Sequence, residues 1–123
     1  MDAVLFVKHL NAMAAFYQRI LGVSALGAGD SYVELPVGSG RLLLHAMPAA
    51  IAVDVHVTIP PELREDAAVK LTFPVTSLTR ARRLAEVNGG GVAPEEREWE
   101  HDGRRYVDGW DPEGNVIQFR ASM

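Results

Sequence analysis

Cysteine is absent from the chain, which excludes disulfides and thiolate metal sites and suits a reducing, cytoplasmic location. Long apolar runs are missing too: no stretch approaches the ~20 residues that a membrane span needs, so no membrane partner is expected. The start, Met1-Asp2-Ala3-Val4, has none of the basic residues of a secretory leader. Positive charge is in short supply. Twelve Lys and Arg against sixteen Asp and Glu give a net charge of −4, which disfavours binding to a phosphate backbone, so no nucleic acid is expected. The one basic cluster, Arg80, Arg82 and Arg83, is outweighed by Glu86 and the acidic stretch from Glu95 to Glu100, and reads as a solvated helix face. Several catalytic signatures are lacking: G-x-S-x-G, H-E-x-x-H, the P-loop and the dinucleotide fingerprint. Gly89-Gly90-Gly91 follows a helix instead of opening one, so it has no phosphate-binding setting.

What the chain does have is apolar content. At 123 residues and 48% apolar it is one domain with a real core. Ala3 to Val7 reads as a short buried strand. Leu10, Met13, Phe16, Tyr17 and Ile20 form one helical stripe over residues 11–21, and Gly22 can stop that helix in the left-handed conformation. Strands are expected at Ser31 to Leu35 and Arg41 to Ala46, around the loop Pro36-Val37-Gly38-Ser39-Gly40. Ile51 to Ile59 alternates most cleanly of all. Ile51, Val53, Val55, Val57 and Ile59 form one face, and Ala52, Asp54, His56 and Thr58 the other. That alternation predicts a strand whose aliphatic face is buried.

Pro60-Pro61 ends it, and a polar linker follows. The order then repeats. A strand is expected over Val69 to Val75, then a helix on Leu78, Ala81, Leu84, Ala85 and Val87, capped by Ser77 and stopped at Gly89-Gly90. Glu96 to His101 and Arg104 to Gly109 form a hairpin about Asp102-Gly103, pairing Glu100 with Arg105 and Trp99 with Tyr106. The turn Asp111-Pro112-Glu113-Gly114 leads into a last strand, Asn115 to Arg120, with Ile117 and Phe119 on one face and Gln118 on the other. Val7, Leu10, Phe16 and Gly22 match Val75, Leu78, Leu84 and Gly90 at constant spacing, the mark of a structural repeat.

The stretches "DPEGNVIQF" and "LTFPVTSLTRARRLAEVNGGGV", set within this repeat, resemble the vicinal oxygen chelate superfamily of glyoxalases, bleomycin resistance proteins and extradiol dioxygenases. The resemblance spans nearly the whole chain. It implies an α+β fold of paired βαβββ modules whose curled mixed sheet surrounds a cup. Module 1 would cover residues 1–59, the linker 60–68 and module 2 residues 69–120. It also implies a homodimer.

In the metalloenzymes of that superfamily, ligands come from the first and last strands of each module, usually His and Glu. The resemblance places those stations at Asp2 and Lys70, at Asp54 or His56, and at Gln118. A charged Lys70 has no lone pair to offer a cation, and Gln118 is neutral where Glu is usual. The expected occupant of the cup is therefore a Lys70 ammonium beside Asp54, with no bound metal as cofactor. Asp2, Asp54, His56 and Gln118 remain as an oxygen-rich alternative for a divalent ion. The candidate ligand-binding residues are His45, Asp54, His56, Lys70, Trp99, Tyr106 and Gln118. Two functions stay open: a protein that binds a small organic molecule in the cup, as metal-free antibiotic-binding relatives do, or an enzyme. The enzyme would be a metal-dependent lyase, isomerase or dioxygenase, or a metal-free one using Asp54 or His56 as general base.

Overall fold

Two amphipathic helices carry the apolar stripes that the strands must cover. In the computed structural model, which describes residues 1–123, α1 (Leu10–Leu21) buries Met13, Phe16, Tyr17 and Ile20, and α3 (Leu78–Val87) buries Leu78, Ala81 and Ala85. Gly22 ends α1 at φ +65°, as its lack of a Cβ permits. Ser77 caps α3, its hydroxyl accepting the Arg80 N–H at 3.1 Å. The two helices touch each other, and each backs one sheet.

The first sheet runs in the order β1 (Ala3–Val7), β4 (Gly40–Ala46), β3 (Tyr32–Val37) and β2 (Gly27–Ala28). The second runs β5 (Thr72–Pro74), β9 (Val116–Ser122), β8 (Arg104–Trp110) and β6 (Gly91–Val92), with β7 (Trp99–His101) also pairing with β8. In both sheets the first strand lies parallel to the last, so the repeat expected from the sequence is present as topology. Val7, Leu35, Leu42, Leu44, Phe73, Val107, Ile117 and Phe119 point at the helices and form one continuous core with them. The alternate residues point away from the helices, and these open faces carry the candidate site.

One expected strand does not form. Residues Ala49–Ala52 make a short helix, α2, and the chain from Val53 to Ile59 is irregular. The aliphatic residues of that alternation are not buried: Ile51 is 56% exposed, Val53 68% and Ile59 99%. The physical reason lies in the pairing. The edge of β1 is taken by β4, and the two-residue β2 completes the four strands, so no edge of this sheet pairs with the segment. Alternation without a partner strand leaves backbone groups to find local bonds, and here Ile51 and Ala52 N–H both donate to the Pro48 carbonyl. The strand at 69–75 also shortens to three residues, and the first arm of the hairpin begins with a 3-10 turn, Glu95–Arg97. The hairpin itself forms as expected, with Asp102 and Gly103 both at positive φ.

Candidate functional site

The open face of the second sheet is set by register. Thr72, Gln118 and Asp108 stand side by side across β5, β9 and β8, and Pro74, Arg120, Tyr106 and Trp99 form the next row. The Thr72 hydroxyl donates to Gln118 Oε1 at 2.9 Å. Lys70 Nζ lies 3.0 Å from Asp108 Oδ2 and 3.1 Å from Oδ1. Trp99 and Tyr106 stack with ring centroids 5.7 Å apart and planes at 13°.

The first sheet repeats the layout. Val4, Leu43 and Glu34 form the row that matches Thr72, Gln118 and Asp108, and Phe6, His45 and Tyr32 match Pro74, Arg120 and Tyr106. Glu34 holds Arg41 at 2.7 Å, as Asp108 holds Lys70. His45 packs beside Phe6 at 5.8 Å between centroids, and its Nδ1 bonds the Ala46 carbonyl. Of the residues singled out from the sequence, Lys70, Trp99, Tyr106 and Gln118 therefore gather on one face, and His45 takes the corresponding place on the other sheet.

Asp54 and His56 do not join them. Both are exposed in the irregular segment after α2, and neither side chain makes a hydrogen bond. The expected Lys70–Asp54 pair is replaced by Lys70–Asp108, because the strand meant to carry Asp54 across the cup does not exist. Register supplies the correction. The last strand of the first sheet is β4, and Leu43 stands opposite Val4 as Gln118 stands opposite Thr72. The four stations are thus Asp2, Leu43, Lys70 and Gln118. Asp2 is already engaged, its carboxylate accepting the Arg41 N–H at 3.0 Å. An aliphatic side chain, an ion-paired ammonium and an amide do not fit a divalent cation, and no three His, Asp or Glu residues gather as a ligand group.

Between the two sheets runs a seam. One cavity of about 290 Å³ opens there among Ala3, Val4, Val69, Leu71 and Val116. A second of about 290 Å³ lies beside Val37, Arg41, Lys70 and Thr72. Residues of both modules line each cavity. Thr72, Asp108 and Arg120 were not singled out as site residues from the sequence, although alternation puts Arg120 on the face of Gln118 and could have put Asp108 on that of Tyr106.

The turn before β9 has a role that sequence reading missed. Asp111 is fully buried and accepts from the Tyr17 hydroxyl at 2.7 Å, the Glu113 and Asn115 N–H groups, and the Asn115 side-chain amide. Glu113, also buried, accepts the N–H groups of Lys8 and His9 at 2.8 Å each, where β1 turns into α1. These two carboxylates tie the second module to the first. Burial raises the Asp111 pKa against the lowering effect of its hydrogen bonds, and it raises that of Tyr17, which keeps its proton and donates.

Comparison with known proteins agrees with this architecture. No curated protein sequence matches the chain. Among solved structures, a glyoxalase/bleomycin resistance protein/dioxygenase family enzyme from Burkholderia phytofirmans superposes with a TM-score of 0.70 at 18% identity, covering 99% of this chain and 97% of that one. A glyoxalase/bleomycin resistance protein from Albidiferax ferrireducens gives 0.69 at 18% identity, with coverage of 99% and 97%. A genomically encoded fosfomycin resistance protein, FosX, from Listeria monocytogenes gives 0.66 at 16% identity, with coverage of 100% and 92%. Such identities speak for the fold alone. The sequence profile of one family matches residues 2–119, and the chain belongs to that family, the glyoxalase/bleomycin resistance protein/dioxygenase superfamily.

Proposed function

We propose that the protein binds a small organic molecule in the cup between its modules, without a metal ion. One observation carries this reading. The stations that would hold a metal are filled by Leu43, a Lys70 ammonium paired with Asp108, and Gln118 bonded to Thr72. Apolar and aromatic side chains stand among the polar ones on these faces, with Val4, Phe6 and Trp99 all exposed. Such a surface suits ligand burial by contact and stacking. Val4 and Phe6, each 56% exposed, also favour a homodimer that covers them. Light scattering at micromolar concentration should then report twice the 13.4 kDa chain mass, and a monomer would refute the dimer.

Metal analysis tests the main reading. Protein purified without added metal should hold far less than one transition-metal ion per chain. The triple variant Leu43→Glu, Lys70→His and Gln118→Glu restores two carboxylates and an imidazole at the stations, and it should take up Ni or Zn measurably in dialysis. Stoichiometric metal in the natural protein would overturn the reading.

A further inference from the structure

The open face of the second sheet holds a charge that the fold does not use. Arg120 is half-buried, yet no carboxylate oxygen comes within ion-pair distance of it, and its guanidinium makes no hydrogen bond. The two other partly buried arginines of this module both find partners: Arg82 reaches Glu98 and the Ala93 carbonyl, and Arg105 reaches Glu98 and Glu100. A half-buried guanidinium loses hydration and would be expected to find such partners. Arg120 instead stands directly opposite Tyr106 in the ladder, and Tyr106 stands opposite Trp99. Directly opposed residues of an antiparallel pair project to the same face about 5 Å apart. The strand order thus places an unpaired guanidinium beside a stacked aromatic pair.

Charge on this face points the same way. Arg104, two residues before Tyr106 on β8, is exposed and also lacks a carboxylate partner. Asp108 is neutralised by Lys70, and Asp102 sits at the hairpin tip beside His101. In a chain of net charge −4, this face carries a positive excess. On the equivalent row of the first sheet His45 takes the place of Arg120, so the permanent charge belongs to one module only.

We propose that the ligand of this face is a planar aromatic anion, its ring set against the outward edges of the stacked Trp99 and Tyr106 and its carboxylate held by Arg120. The assignment rests on the metal-free cup proposed above and names the chemical class that the cup takes. A guanidinium offers two parallel N–H donors that match the two oxygens of a carboxylate. The Trp99 and Tyr106 rings, braced face to face, present rigid outward edges that a ligand ring can meet edge to face. The guanidinium charge repels a cationic ligand here.

Calorimetric titration with 1-naphthoate, its uncharged analogue 1-naphthamide and the cation 1-naphthylmethylamine tests this with the natural protein alone. Naphthoate should bind about tenfold or more tighter than naphthamide, since an ionic hydrogen bond exceeds a neutral one by at least that factor. Arg120→Gln should remove the tenfold preference and leave naphthamide within about twofold, whereas Trp99→Leu should weaken both about fivefold. Equal affinity for naphthoate and naphthamide, preference for the amine, or failure of all three to bind would overturn the proposal. Preference for the amine or the amide would leave the metal-free cup standing, whereas stoichiometric metal in the same preparation would count against the cup itself.

Discussion

Asp111→Ala is expected to lower the unfolding free energy by about 3 kcal/mol. The side chain is fully buried, and its loss strands the Tyr17 hydroxyl and the Glu113 and Asn115 N–H groups away from water. Losing one bond alone is milder, and Tyr17→Phe should cost about 1–2 kcal/mol. Its pH dependence has a definite sign. Burial raises the Asp111 pKa above 3.8, so the folded state binds a proton more tightly than the unfolded chain, and stability falls as pH rises through that window. The Tyr17 hydrogen bond opposes the shift. Removing it raises the pKa further, so the loss in Tyr17→Phe is larger at neutral pH than at pH 4. Urea midpoints for both variants at the two pH values check this. Equal losses at both would show that the carboxylate is not titrating in the folded protein.

Gly114→Ala is expected to cost about 3 kcal/mol as well, for a different reason. Gly114 sits at φ +84°, where a side chain is strained. A Cβ there would also overlap the Glu62 carbonyl oxygen. That oxygen is backbone, and it cannot swing aside. The Arg64 N–H bonds the Gly114 carbonyl at 2.8 Å, so the segment after Pro61 is pinned against the turn. Gly22→Ala makes the control: φ is +65° there, but nothing lies near an added Cβ, so only the conformational cost of about 1 kcal/mol should appear. Thermal melts that rank the two variants equally would contradict the contact with Glu62.

Local chemistry was legible wherever the signal was local. Helix stripes, the Ser77 cap, the Gly22 stop and the Asp102-Gly103 hairpin with its Trp99–Tyr106 pair all follow from residues a few positions apart, and each appears as read. The gathering of Lys70, Trp99, Tyr106 and Gln118 on one face followed in part, because side-chain alternation is a property of each strand. Residues 51–59 mark the limit. Their alternation is stronger than that of any true strand in the chain, yet they stay outside both sheets.

Helical and period-two spacing with turn residues by themselves determined the order of elements, the internal repeat and the parity of Gln118 and Tyr106, and the α+β class of paired modules came as what the family resemblance implies. Which strand closes the first sheet was decided only by tertiary structure. β4 pairs with all five residues of β1, Ala3 to Val7 against Leu42 to Ala46. That choice put Leu43 where Asp54 or His56 had been expected, and it gave Lys70 to Asp108. The physical reason is that a strand is stabilised by a partner edge and a buried face together. A sequence shows which faces are apolar, but the competition for an edge is settled between segments far apart in the chain.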